Sequence, residues 1–342
     1  MSNGLIVVTG ASGFIAKHIV LQLLDQGYHV RATVRSPARQ SELRAAIERH
    51  AHVSTDLDRR LSFALLDLEK DDGWDNALAG ADALIHTASP FPLVQPKDEN
   101  AIIRPAVEGT LRALRAAKKA GVTRAVLTSS VVAVALAKRN GKTILDESDW
   151  SEITDPRATA YAKSKTLAER AAWNFVEAEA PEMKLTVINP GLVIGAPLDT
   201  VFGTSLRVIQ RLLKAKDPML PNFGFPVVDV RDIAAIHVAC LSRPETAGKR
   251  YLGGDEFLWF PEMASILKAA FPERHIVTRR APNAIVRFLA LFDNEIRSVV
   301  QVLDDRVDVT AERARRDMGL TFRPASEAVI SAGRFLIENK LV

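Results

Sequence analysis

The chain has one cysteine in 342 residues, Cys240, so it builds no disulfide within itself, and nothing in it requires an oxidising compartment. Cys240 sits in an apolar helical stretch, 233–241, with His237 one turn earlier. A Cys/His nucleophile pair is one reading of that spacing. A small residue packed inside a helix is the other, and the apolar surroundings favour it. The seven histidines are scattered, and His50 and His52 have no cysteine or acidic cluster beside them, so no metal site is expected. No basic region precedes the first apolar run, residues 5–8, which reads as a strand rather than a signal peptide. The longest apolar stretch toward the other end, 284–292, is short and holds Arg287; it cannot span a bilayer and is open to three readings, core, pocket lid or dimer contact, of which core is preferred. A cytoplasmic location is the resulting expectation. The formal charge is only +4. No aromatic residues interleave the basic ones, and Arg313, Arg315 and Arg316 are read as a solvated helix face, which weighs against a nucleic-acid partner.

What is present is a soluble globular composition, 47% hydrophobic and 25% charged, with ample material for a core. The length suits about two domains or one large α/β unit. Residues 5–9, 29–34, 61–66, 83–87, 125–129 and 185–189 are short and rich in Val, Ile and Leu, as strands covered on both faces are. Helical patterns lie between them. Ile15, Ile19 and Leu23 form one apolar stripe; Val107, Leu111 and Leu114 form another, in a helix that ends at Gly121. This alternation predicts a doubly wound parallel sheet of Rossmann type. After Asn189-Pro190-Gly191 the rhythm changes. A capped helix start follows at Asp229, with further helical patterns near 261–270, 283–292 and 325–338. The expected organisation is a dinucleotide-binding domain, 1–190, and a smaller substrate lobe, 191–342, with the segment 228–243 packing back on the first domain.

Thr9-Gly10-Ala11-Ser12-Gly13-Phe14-Ile15-Ala16 follows the first strand and opens the first helix. Gly10 permits a tight turn, and Gly13 lets the backbone approach a pyrophosphate seated at the helix N-terminus. Ala16 takes the third small position. At the end of the second strand, Thr33-Val34-Arg35-Ser36-Pro37-Ala38-Arg39 holds no carboxylate before Glu42. An acidic residue there would hold the ribose of NAD, whereas Arg35 and Arg39 suit the 2′-phosphate of NADP(H). Asp67, after the third strand, is open to two readings: an acceptor for the adenine amino group, or a helix cap.

Tyrosine is scarce. Of Tyr28, Tyr161 and Tyr251, only Tyr161 has a lysine four residues on, Lys165. That spacing puts a phenol and an ammonium on one helix face, within a helix read over 158–178. A neighbouring cation is expected to lower the phenol pKa, which suits proton exchange with a carbonyl or alcohol. Thr128-Ser129-Ser130 closes the fifth strand. A serine there is either a turn former or a hydroxyl presented to the crevice where a nicotinamide would lie.

The stretches Val8-Thr-Gly-Ala-Ser-Gly-Phe-Ile-Ala16, Ala32-Thr-Val-Arg35, His86-Thr-Ala-Ser-Pro90, Leu127-Thr-Ser-Ser130, Tyr161-Ala-Lys-Ser-Lys165, Asn189-Pro-Gly-Leu-Val-Ile-Gly195 and Val228-Asp-Val-Arg-Asp-Ile-Ala234 occur in one order over most of the chain. In them the chain resembles the extended short-chain dehydrogenase/reductases, nearest to the dihydroflavonol-reductase-like branch with its aldehyde, ketone and methylglyoxal reductases. The resemblance implies Ser130 as catalytic serine, Tyr161 as acid/base and Lys165 as the lysine on the nicotinamide ribose. It implies Gly10, Ser12, Gly13, Phe14 and Ile15 at the pyrophosphate, Arg35 and Arg39 at the 2′-phosphate, and Asp67 and Leu68 at the adenine. Thr87, Ala88, Ser89, Thr128, Pro190, Gly191 and Val193 would line the nicotinamide side.

The expected activity is NADPH-dependent reduction of a hydrophobic or aromatic aldehyde or ketone, reversible as an alcohol dehydrogenase. Substrate walls are assigned to Phe91, Val131, Val132, Val193, Phe202 and the 221–225 stretch with Phe223. The partners expected are a small carbonyl or alcohol molecule and at most a second copy, as monomer or homodimer. Two alternatives stand beside this. For an NAD-retaining nucleotide-sugar epimerase or dehydratase, dehydration is disfavoured because Val131 and Val132, not an acid pair, follow Ser130, and the sugar-modifying branch because Ile188-Asn-Pro-Gly191 stands where that branch has an aromatic-rich stretch. A non-catalytic NADP-sensing regulator is disfavoured because both Tyr161 and Lys165 are kept.

Overall fold

The computed structural model describes residues 3–51, 56–90, 98–292 and 299–342; Phe91 and His52 lie outside the described residues. The strands are β1 (Asn3–Thr9), β2 (Tyr28–Val34), β3 (Leu61–Leu65), β4 (Ala83–His86), β5 (Arg124–Thr128), β6 (Ile144–Leu145), β7 (Lys184–Pro190), β8 (Leu192–Ile194), β9 (Gly224–Asp229), β10 (Lys249–Gly253), β11 (Glu256–Trp259) and β12 (Asp308–Val309). Seven of them form one sheet in the order β10-β7-β5-β4-β1-β2-β3. Every pairing in it is parallel, as the alternating pattern predicts.

The two faces of this sheet follow from the two-residue period of a strand. Ile6, Val8, Ile85, Val126 and Ile188 point to one side, where the helices Phe14–Asp25 and Val230–Ser242 pack with Ile19, Leu23, Ile233 and Ile236. Val7, Leu84, Leu127 and Val187 point to the other, against Leu114 and Phe175 of the helices Asn100–Lys119 and Ala160–Glu179. Each fully buried side chain of this size stabilises the fold by roughly 1.5–3 kcal/mol. The chain reverses its winding direction between β1 and β4, which places a crevice at the carboxyl ends of the strands.

Three features depart from the sequence reading. The sheet gains a seventh strand, β10, well after the alternating pattern stops. Residues 284–292 are not core. Val286 and Ala290, one turn apart, are buried, but Phe288, Leu291 and Phe292 are 60%, 67% and 77% exposed. The helix Asn283–Leu289 is only seven residues long and docks by one narrow side. The arginine-rich helix Glu312–Met318 is a solvated face only in part: Arg316 is exposed, whereas Arg313 and Arg315 are half-buried and anchored. Arg315 forks onto Asp255 at 2.6 and 2.8 Å, and Arg313 donates to the Arg250 carbonyl at 3.3 Å. A smaller sheet, β11-β9-β8, and the pair β12-β6 flank the main one. No helix among the described residues is long and apolar enough to cross a membrane.

Three histidines are buried and held neutral. Burial drives His86 down to about 3 and His18 and His237 down to about 4. An unfolded chain protonates these rings near pH ~6.5, whereas the folded chain does not, so their contribution is complete above that pH and is lost as the pH falls toward ~4. The slope is up to about 1.4 kcal/mol per pH unit for each ring. Urea midpoints measured from about pH 7 down to about pH 4.5 are expected to fall steadily. A flat profile would show that the rings are not buried as neutral groups.

Candidate active site

The glycine loop joins β1 to the helix Phe14–Asp25. Gly10 has φ +63°, and a Cβ there would lie 2.9 Å from the Ala88 Cα. Both the backbone conformation and the close approach require glycine. Gly13 caps the helix with no side-chain hydrogen bond. The first N–H groups of that helix therefore face the crevice with the positive end of the helix dipole, an arrangement suited to a pyrophosphate.

Segment 86–88 is pinned beside this loop. Thr9 Oγ1 accepts the N–H groups of Thr87 and Ala88, each at 3.2 Å. Its own proton then goes to His86 Nδ1 at 2.7 Å. Thr87 Oγ1 donates to the Thr9 carbonyl at 2.5 Å. At the end of β2, Arg35 is exposed and makes no hydrogen bond or ion pair among the described residues. Arg39 is exposed too, but it is paired with Glu42 at 2.7 Å. Asp67 Oδ1 accepts the Glu69 N–H at 3.1 Å, and Leu68 is buried in the second core cluster. Ser12 and Ser89 are half-buried.

The Ser/Tyr/Lys cluster is built on the helix Ala160–Glu179. Thr159 caps it, its hydroxyl accepting the Ala162 N–H at 3.1 Å. Tyr161 and Lys165 then share one face. The Tyr161 phenol is hydrogen-bonded to the Ser130 side chain. Ser130 is extended (φ −162°, ψ 153°) and caps the turn Val131–Ala133, accepting the Val132 N–H at 3.4 Å. Lys165 is buried, with Nζ 3.5 Å from the Thr128 carbonyl.

The electrostatics differ from the sequence expectation. Burial pushes the Tyr161 phenol up to about 12, and the Ser130 hydrogen bond opposes this. Burial also pulls Lys165 down to about 8, against the Glu169 carboxylate, which raises it. In this state, desolvation outweighs the expected cation effect on the phenol.

Only one of the hydroxyls at these strand ends meets the phenol. Thr128 donates to His237 Nε2 at 2.8 Å, because His237 Nδ1 is committed to the Ile233 carbonyl. Ser129 donates to Glu169 Oε2 at 2.6 Å. Spacing alone did not separate Ser129 from Ser130; their partners do.

The residues assigned to substrate walls are spread out. Val131 is buried in a satellite cluster with Val134, Leu145, Leu252 and Val309, and Val132 packs against it. Val193 is buried in the main core, with Phe202 packed on that core. Phe223 also packs there and stacks on Phe260 with ring centroids 5.0 Å apart. Pro190 ends β7, where it pairs with Gly253 of β10. A Cβ at Gly191 would lie 2.3 Å from the Pro226 carbonyl oxygen, so this glycine serves close strand packing.

Sequence reasoning missed a buried ion pair. Lys17 Nζ meets Asp199 at 2.5 Å, both nearly buried, and donates to the Val201 carbonyl at 3.0 Å. It clasps the glycine-loop helix to the segment that carries Phe202. Its only signal was a lysine within an apolar stripe.

A glycine loop and a Ser/Tyr/Lys cluster at the carboxyl edge of a doubly wound parallel sheet define the architecture of the extended short-chain dehydrogenase/reductases. The chain belongs to the NAD dependent epimerase/dehydratase family, whose model matches residues 6–253, from β1 to the last residue of β10. It is 36% identical to cinnamoyl-CoA reductase 1 of Petunia hybrida over 287 residues, which is 82% of this chain and 81% of that one. It is 30% identical to the ketoreductase azaE of Aspergillus niger, covering 98% of both. Its structure is similar to the yeast methylglyoxal/isovaleraldehyde reductase complexed with NADPH, with a TM-score of 0.81 at 25% identity, covering 99% of this chain and 100% of that one.

Removing one partner of the Lys17–Asp199 pair strands a buried charge. Asp199→Asn is expected to cost about 3–5 kcal/mol in urea unfolding, and Lys17→Met combined with Asp199→Leu to recover most of it. Equal losses in the single and the double variant would show that the clasp is not a coupled pair.

Proposed function

We propose that this protein is an NADPH-dependent carbonyl reductase acting on a hydrophobic or aromatic aldehyde or ketone, reversible as an alcohol dehydrogenase. The observation that carries the reading is the Tyr161 phenol bonded to Ser130, with Lys165 one turn away on the same helix.

The residues fit a nicotinamide cofactor. The uncapped helix start at Gly13 and the tight turn at Gly10 suit its pyrophosphate. The unpartnered Arg35 suits a 2′-phosphate, and Arg39 can join it by leaving Glu42. Lys165 would hold the nicotinamide ribose, with Thr87, Ala88 and Pro190 along the ring. NADPH, when bound, supplies the hydride. The protein's part is polarisation and proton transfer. Ser130 and Tyr161 both donate to the carbonyl oxygen, where negative charge develops. A phenol held at about 12 stays protonated throughout the physiological range, the form needed to deliver a proton to an alkoxide. Lys165, at about 8, is mostly charged at neutral pH and supplies the compensating cation.

The names of the relatives support the direction: two reduce carbonyl compounds or thioesters, and the third is solved with NADPH. The family's name also covers epimerases and dehydratases. The residues after Ser130 do not favour dehydration, since Val131 is buried among apolar side chains where the acid of that reaction would be needed.

Tyr161→Phe is expected to lower kcat for NADPH-dependent reduction by about 10²–10⁴-fold while leaving NADPH binding by fluorescence unchanged. Full activity in that variant, across a panel of aldehydes, 2-ketones, diketones and flavanonols, would overturn the mechanism. Arg35→Glu is expected to raise the KM for NADPH about 10- to 100-fold without harming NADH turnover. If the natural protein uses NADH as well as NADPH, the assignment of Arg35 is wrong.

A further inference from the structure

We propose that Glu169 is a positioning residue for this reduction, keeping Lys165 charged and fixing the two strand ends that present Ser130 and Pro190. The inference rests on the reading of Lys165 and Ser130 given above and extends it to a side chain that touches no reacting atom.

Glu169 lies one turn beyond Lys165 and two beyond Tyr161 on the helix Ala160–Glu179, so all three share a face. It is 1% exposed. A carboxylate that deep is tolerated only when it is fully hydrogen-bonded. Four donors meet it: Arg250 Nε at 2.5 Å, Ser129 Oγ at 2.6 Å, Asn189 Nδ2 at 2.7 Å and Trp173 Nε1 at 3.4 Å. These groups come from β10, the end of β5, the end of β7 and its own helix. The carboxylate is thus the point where the catalytic helix and three strands meet.

Two consequences reach the reaction centre. Asn189 Nδ2 also donates to the Ser130 carbonyl at 3.2 Å, and the Ser129 N–H donates to the Ile188 carbonyl at 2.7 Å. The Ser129–Ser130 corner is therefore held to the end of β7 by these two direct bonds, and a second time through the carboxylate, which accepts from both Ser129 and Asn189. The second consequence is electrostatic. Glu169 is the charge that raises Lys165 against the burial that lowers it.

The surrounding charges leave this role to Glu169. Arg250 faces it from β10 and is fixed from behind by the Asp149 and Glu147 carbonyls, at 2.6 and 3.0 Å, and by the Trp150 ring, 3.8 Å from the guanidinium carbon to the ring centroid. Glu147 directs its carboxylate elsewhere, to the Leu252 N–H at 3.3 Å and to Arg313 at 3.6 Å. His86, near Lys165 from β4, and His237, beside Thr128, are both neutral. A purely structural Glu169 would matter for its hydrogen bonds alone. A glutamine keeps one acceptor and adds a donor, and it removes the charge.

The test compares the full-length protein with Glu169→Gln and Glu169→Asp. Lys165 is titrated by NMR of the isotope-labelled side chain, assigned with Lys165→Arg, and kcat is measured between about pH 6 and about pH 9. Glu169→Gln is expected to move the Lys165 titration down by about one unit, so that the alkaline loss of kcat begins at correspondingly lower pH. Glu169→Asp, which keeps the charge, is expected to restore the profile. A Lys165 titration unchanged in Glu169→Gln, or a pH profile merely scaled down, overturns the proposal. If Glu169→Gln strands Arg250 and fails to fold, Glu169→Gln combined with Arg250→Gln removes both charges. A downward shift is expected there too, smaller than in the single variant because the opposing Arg250 cation is also gone, and its absence counts against the proposal. A natural protein without reductase activity would sink the proposed function, while the NMR titration would still decide the role of Glu169.

Discussion

A parallel sheet covered on both faces buries most of the polar side chains at its carboxyl edge, and this constraint organises the molecule. Each such group has to find a protein partner or cost the fold several kcal/mol. Thr9 turns to His86, Thr87 to the Thr9 carbonyl, Thr128 to His237 and Ser129 to Glu169. What remains for chemistry is what the packing has not already engaged. Ser130 meets the Tyr161 phenol at the mouth of the crevice. The placing of the Ser130–Tyr161 pair and the satisfaction of a buried edge are here a single problem.

The same constraint explains what was legible in the sequence. Strands hidden on both faces must be apolar throughout, so β1, β4, β5 and β7 announce themselves within two residues of their observed bounds, as do β2 and the half-covered edge strand β3. The glycine loop is legible because a tight turn against Ala88 admits little else than Gly10. The Tyr161–Lys165 pair is legible because helical spacing alone puts the two side chains on one face. These signals are local in the chain.

What was not legible is long-range. The partners of Glu169 and Lys17 lie far away in the chain, and no periodicity connects Lys17 to Asp199. The apolar run 284–292 misled because composition does not say how much of a short helix a neighbour covers. The cation effect expected on Tyr161 was also a local inference, from spacing. It lost to desolvation, which belongs to the whole fold. Arg315 could not be seen as anchored before Asp255 was placed beside it.

The late strand has a bearing on how the molecule comes to exist. β7 pairs on one side with β5 and on the other with β10, and the buried guanidinium of Arg124 on β5 is satisfied by the Cys240 carbonyl and the Thr246 hydroxyl. During synthesis, then, the nascent sheet stands with β7 as a bare edge, and with a stranded cation at its heart, until some sixty further residues have emerged from the ribosome. The seven-stranded sheet is complete only once β10 has been made. It waits for the chain to come back, so its assembly is closer to closing a clasp than to stacking layers in order of arrival.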